Sequence, residues 1–253
     1  MKTVMMRNLE IGAGAPKVIV PIVAATAEGI VAKGKELTAY TMDVVEWRVD
    51  FYEDVFDIDK VVATAKDLRA ALGETPILFT FRTKKEGGEK EIAMDQYVAL
   101  NKALVESGYV DACDVEVFSG DDVVASIIDA AHAAGKVVVA SNHDFFGTPS
   151  KDDLCYRLRK MQDLGADLPK IAVMPKSVAD VVTLLDATAT MKTKYADRPI
   201  ITMSMGSMGV ITRIAGEAFG SSMTFGAVGQ VSAPGQIPVE KLQTAMGILH
   251  SGM

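Results

Sequence analysis

Residues 168–175 read Leu-Pro-Lys-Ile-Ala-Val-Met-Pro, and Gly165 stands three positions before them. A short apolar run closed by proline and preceded by a helix-ending glycine is the pattern of a parallel-sheet strand buried on both faces. In its middle sits Lys170. Burial strips water from an ammonium and favours the neutral amine, which attacks ketones and aldehydes. A strand lysine has two plainer fates: it reaches solvent along its own stem, or it pairs with a carboxylate. The surrounding sequence has to choose among the three.

Outward from that strand the chain repeats one pattern. Apolar, β-branched runs occupy 17–24, 44–50, 76–82, 110–117, 136–143, 168–174, 199–205 and 223–228. Segments with helical spacing follow them, over 27–39, 59–72, 95–107, 121–134, 150–164, 177–194, 209–219 and 238–250. Ser119 to Asp122 and Thr148-Pro149-Ser150 are start signals for the fourth and fifth helices, and Gly73, Gly108, Gly135 and Gly165 stand where four helices should end. Eight strand–helix repeats predict a (β/α)8 TIM barrel of the α/β class, typically ~250 residues long. A doubly wound open sheet is the alternative, but its usual glycine-rich first turn is absent. The 253 residues read as a single domain, with an N-terminal hairpin over 1–15 and a substrate-covering loop over 229–237. Gly12 and Gly14 lack the strand–turn–helix context of a dinucleotide fingerprint and read as a turn.

A net charge of −7 argues against nucleic acid or an anionic membrane as partner, since both need clustered Lys and Arg. A small anion held by a few arginines fits. No apolar stretch approaches the ~20 residues that cross a bilayer, and Lys2, Arg7 and Glu10 interrupt the start, so no signal-peptide core is expected. Cys113 and Cys155 lack metal-ligand spacing and read as free, buried thiols of a reducing cytoplasm.

A barrel buries the inward face of each strand, so polar residues there need a reason. Period two places Glu46, Arg48 and Asp50 on one face, then Thr80 with Arg82, Asp114 with Glu116, and Ser141 with His143. Lys170 shares its face with Ala172 and Met174. Most of these lie near C-terminal strand ends, where barrel active sites form. His143 is the natural general acid/base, while His132 and His250 fall in helices without polar company. With three histidines in the chain and no second one near His143, no metal site is expected. The loop Arg82-Thr-Lys-Lys-Glu86-Gly-Gly-Glu89 offers Glu86 or Glu89 to orient His143. The loops after the last two strands suit an anion: Arg213 supplies a bidentate clamp, and Ser232 to Gln236 a lid bearing a hydroxyl and an amide.

Six stretches, taken in order, resemble the type I 3-dehydroquinate dehydratases, the Schiff-base-forming family of the shikimate pathway. They are Glu-Trp-Arg-Val-Asp (46–50), Phe-Thr-Phe-Arg (79–82) with Lys-Glu-Gly-Gly (85–88), Ser-Asn-His-Asp-Phe (141–145), Gly-Ala-Asp-Leu-Pro-Lys-Ile-Ala-Val-Met-Pro (165–175), Arg-Pro-Ile-Ile-Thr-Met-Ser-Met-Gly (198–206), and Thr-Phe-Gly-Ala (224–227) with Ser-Ala-Pro-Gly-Gln (232–236). The resemblance implies a hydro-lyase that needs no cofactor. In it Lys170 forms an imine with the C3 ketone of 3-dehydroquinate, His143 moves the C2 proton, and Glu86 orients His143. Arg213 binds the substrate carboxylate, while Glu46, Arg48, Arg82, Ser232 and Gln236 hold ring hydroxyls and close the site. It also implies a cytoplasmic homodimer. One departure is visible: many relatives carry a serine at the end of the first barrel strand, where this chain has Pro21, which offers neither hydroxyl nor N–H.

Two other readings compete. Another lysine-imine barrel, an aldolase, would cleave a C–C bond and hold a phosphate at the last two loops. A non-catalytic barrel would bind a sugar acid without turnover.

Overall fold

In a computed structural model describing residues 2–253, the β-branched runs pair as parallel neighbours in chain order. The barrel strands are β3 (Lys17–Ile22), β4 (Val44–Arg48), β5 (Ile77–Thr80), β6 (Ala112–Glu116), β7 (Val137–Asp144), β8 (Leu168–Val173), β9 (Ile201–Ser204) and β10 (Met223–Ala227). β10 pairs with β3, and the ring closes between β9 and β10 through a parallel bridge of Ile200 with Ser221 and a 2.8 Å bond from Ser222 N–H to the Ile200 carbonyl. Ahead of them β1 (Val4–Met6) and β2 (Leu9–Ile11) form the expected antiparallel hairpin. Met1 of that segment lies outside the described residues.

Helices α1 (Ala27–Leu37), α2 (Ile58–Leu72), α3 (Met94–Glu106), α4 (Asp121–Ala133), α5 (Lys151–Asp163) and α6 (Val178–Thr190) follow the first six barrel strands. The last two connections differ from the plain repeat. The seventh is split into α7 (Val210–Ile214) and α8 (Gly216–Phe219), and a two-residue strand β11 (Ile237–Pro238) joins β10 before α9 (Val239–His250). The predicted 229–237 loop therefore ends inside the sheet. Ser150 caps α5 as its sequence signal suggested, accepting from the Asp153 N–H. The signal at 119–122 does not work that way: Gly120 occupies the cap with no side-chain bond, and Asp121 and Asp122 instead place negative charge at the positive end of the helix dipole. Both cysteines are buried and free.

Two apolar layers result. Outward strand residues such as Trp47, Phe79 and Ile171 pack against the helices. Inward residues Ile19, Val44, Leu78, Ala112, Leu168 and Ile201 fill the N-terminal half of the barrel interior, and Met6 and Ile11 of the hairpin seal that end. The C-terminal half of the same inward faces is where the polar residues lie. The hairpin is therefore a plug for the barrel floor, and Ile11→Ala should destabilise the fold by roughly 2–5 kcal/mol, read as a lower urea midpoint at unchanged m.

Candidate active site

The register of neighbouring strands assembles the site. Glu116 on β6, Ser141 on β7 and Lys170 on β8 lie opposite one another, and His143 stands two residues above Ser141 on the same face. Lys170 is 3% exposed. Its Nζ donates to Asp114 Oδ2 at 3.1 Å and lies 4.7 Å from the Phe225 ring centroid. Of the three fates open to a strand lysine, this one is burial with a carboxylate partner, which β6 places within its reach.

Arg82 is the hub. Its Nη1 donates to Glu116 Oε1 at 3.0 Å and to Ser141 Oγ at 2.9 Å, its Nη2 donates to Asp114 Oδ1 at 2.7 Å, and Glu86 Oε2 lies 3.7 Å away. Burial works against this guanidinium, yet Asp114, Glu116 and Glu86 hold it well above the ordinary arginine value. Burial likewise pushes the Asp114 carboxyl up, and Arg82, Lys170 and the Ser141 hydroxyl overcome it and hold the group below its ordinary value.

Glu86, rather than Glu89, faces His143. Glu86 Oε2 lies 3.0 Å from His143 Nδ1 and accepts the His143 N–H at 2.9 Å, while Oε1 accepts from Asn142 Nδ2 at 3.1 Å. The loop carrying Glu86 doubles back so tightly that a Cβ at Gly88 would lie 1.8 Å from the Arg82 carbonyl oxygen. Glu116 fixes the root of this loop by accepting from the Thr83 N–H and hydroxyl at 2.8 and 2.7 Å. Burial and then Glu116 push the Glu86 carboxyl up to about 7, against Arg82, Asn142 and the His143 N–H. Burial, Arg82, Lys170 and Arg48 push the His143 imidazole well below its ordinary value. A neutral imidazole follows. When Glu86 is ionised it accepts from Nδ1–H, which leaves the Nε2 lone pair as the free base.

Arg48 donates from Nε and Nη2 to Asp50 at 2.8 and 2.7 Å, and from Nη1 to the Ser232 carbonyl at 3.4 Å. Glu46 accepts from the Thr80 hydroxyl at 3.0 Å. Arg213 is the unbalanced cation: it is 1% exposed, its Nη2 donates to the Pro234 carbonyl at 2.9 Å, and its Nε has no partner. Burial lowers its pKa to about 10, which still leaves it charged at neutral pH. Above it, Ser232 and Gln236 bond to each other, with Ser232 N–H to Gln236 Oε1 at 2.9 Å and Gln236 Nε2 to Ser232 Oγ at 3.0 Å. Their loop rests on the β9–α7 turn, where a Cβ at Gly235 would meet the Gly206 carbonyl oxygen at 2.4 Å.

All nine candidate residues line one cavity. Sequence reasoning missed its apolar wall of Phe145, Met203 and Phe225, and the pairing of Asp114 with Lys170. Period two had put Asp114 on the inward face, but cross-strand partners follow only from register. The remaining histidines do have polar company, contrary to expectation: His132 Nε2 is 3.0 Å from Asp167, and His250 Nδ1 is 2.9 Å from Glu217, both near the surface. Among the described residues no group of three or more His, Cys, Asp or Glu is arranged to hold a metal ion. None of the described helices is long and apolar enough to cross a membrane.

A family model described as type I 3-dehydroquinase matches residues 18–253. A 3-dehydroquinate dehydratase of Syntrophotalea carbinolica is 51% identical over 250 residues, and one of Escherichia coli O17:K52:H18 is 52% identical over 250, each alignment covering 99% of both chains. The crystal structure of type I 3-dehydroquinate dehydratase from Clostridium difficile with covalent modified comenic acid superposes with a TM-score of 0.97 at 49% identity, covering 100% of this chain and 99% of that one. The 3-dehydroquinate dehydratase of Geobacillus kaustophilus gives 0.96 at 38%, covering 99% and 97%.

A carboxyl raised in the fold holds its proton more tightly there than in the unfolded chain. Its contribution to stability is complete below about 4.5 and is lost as pH rises through about 7. Between those limits the wild type should lose on the order of 3 kcal/mol relative to Glu86→Gln, in which His143 still titrates but residue 86 does not. Urea unfolding of both proteins at a series of pH values checks the slope.

Proposed function

The chain belongs to the type I 3-dehydroquinase family, and we propose that it dehydrates 3-dehydroquinate to 3-dehydroshikimate through an imine on Lys170. The observation that carries this reading is the convergence on one cavity of a buried lysine, a neutral histidine oriented by a glutamate, and a buried arginine with no carboxylate partner.

Lys170 gives up one ammonium proton to His143, its free amine attacks the C3 ketone, and His143 returns that proton to the carbinolamine oxygen, which leaves as water and keeps the imine protonated. That cation withdraws electrons from C2, and His143 Nε2 takes the C2 proton. The resulting enamine expels the C1 hydroxyl, which leaves as water with the proton from His143. Hydrolysis of the conjugated imine releases the product and restores the amine. Glu86 holds the imidazole through Nδ1, and Arg213 meets the substrate carboxylate with the one guanidinium in the cavity that faces no carboxylate. Glu46, Arg48, Arg82, Ser232 and Gln236 bound the ring, and residues 229–237 cover it. Arg82 contributes mainly by ordering carboxylates, because its Nη groups are already engaged. Pro21 is buried beside Glu46 and leaves one substrate hydroxyl to other partners. The family resemblance further carries the enzyme to aromatic amino acid biosynthesis, as a cytoplasmic homodimer that uses no cofactor.

Incubation with 3-dehydroquinate and borohydride, followed by peptide mass spectrometry, should place a reduced ring adduct on Lys170. Binding without an adduct would return the sugar-acid-binding barrel, and C–C cleavage products would return the aldolase. His143→Ala should still trap the adduct while kcat falls by about 10²–10⁴-fold. Because the neutral imidazole is the competent form and its pKa is lowered, the acid limb of kcat/KM should lie below the ordinary histidine value.

A further inference from the structure

Asp114 has no part in the mechanism above, yet it is the carboxylate in contact with the atom that reacts. It is fully buried, its Oδ2 lies 3.1 Å from Lys170 Nζ, and its Oδ1 accepts from Ser141 Oγ at 2.6 Å and Arg82 Nη2 at 2.7 Å. Its orientation is therefore fixed from two sides before any ligand arrives. The other groups near Lys170 Nζ are the face of Phe225, the Arg82 guanidinium held through Asp114, and His143 on the neighbouring strand.

We infer that Asp114 is a further catalytic residue, the counter-ion that keeps the Lys170 imine protonated. The inference rests on the imine reading above. A neutral imine is a poor electron sink, and a buried site with Arg82 and Arg48 nearby disfavours a further positive charge. When amine and ketone join with loss of water, the nitrogen that carried the ammonium charge carries the iminium charge, and Asp114 already stands beside it. His143 then takes the C2 proton, the nitrogen becomes a neutral enamine, and expulsion of the C1 hydroxyl as water restores a conjugated iminium at the same place. The carboxylate stays ionised throughout and gains or loses no proton. Glu116 and Glu86 do not substitute for it, because they are engaged with Thr83 and His143.

The test is the pH profile of kcat in Asp114→Asn. A carboxylate favours the charged form of its neighbour, so removing its charge lets the imine lose its proton at lower pH. The alkaline limb of kcat should move by about 1–3 pH units towards acid, as expected for one opposite charge at contact. Asp114→Glu should keep the limb near its wild-type position even where packing lowers kcat. An Asp114→Asn profile that superposes on the wild type after scaling would reduce Asp114 to a structural role. Borohydride trapping in the wild type separates the two failures: no adduct on Lys170 removes the imine reading and this inference together, whereas an adduct with an unmoved limb removes only the inference. A second measurement does not depend on how the asparagine variant folds. In [15N]lysine-labelled His143→Ala stalled with 3-dehydroquinate, the Lys170 nitrogen should resonate as an iminium at neutral pH. A neutral-imine resonance there would overturn the assignment.

Discussion

Closing eight parallel strands into a ring turns every inward side chain toward one shared interior, and in the upper half of this interior Arg82 decides the arrangement. A buried guanidinium is tolerable only with partners, and here Asp114 and Glu116 bond to it while Glu86 stands at 3.7 Å. Without that cation three carboxylates would face one another in a low-dielectric space. With it, Asp114 is aimed at Lys170, Glu116 anchors the loop at Thr83, and Glu86 reaches His143.

The charges are balanced unevenly, and the imbalance has chemical consequences. Arg48 is matched by Asp50 and Lys170 by Asp114, whereas Arg213 has only a carbonyl, a thioether sulfur and an orphaned Nε. Among the described cavity residues it is the cation that an incoming anion can satisfy. On the opposite side, burial together with Glu116 raises Glu86, while burial and three cations lower His143. Burial thus favours the uncharged form of each group and keeps His143 a neutral base at its strand end.

The lower half of the barrel does different work. Its inward layer is apolar, the hairpin covers it with Met6 and Ile11, and Arg7 ties the hairpin to Glu74 with bonds of 3.0 and 2.8 Å. Asp111 gathers Arg7, Arg69 and the Ile77 N–H at the same end.

The alternation of apolar runs and helical segments was enough to count eight strands, set their order and predict a barrel, because period two and period 3.6 are local properties of the chain. Local too were the inward positions of Glu46, Arg48, Arg82, Asp114, His143 and Lys170. The broken seventh helix and β11 were not legible, since both arise where the loops over the site fold back on the sheet. Nor was the company each polar residue keeps. Lys170 left a bare amine, a solvated amine and a paired one all open, and His132 and His250 looked solitary, until strand register and helix packing supplied Asp114, Asp167 and Glu217. Sequence by itself determined which residues enter the barrel; the tertiary structure decided which charge stands beside which, because contacts such as Arg82 with Asp114, 32 positions apart, and Lys170 with Asp114, 56 apart, depend on the stagger of strands that no local pattern encodes.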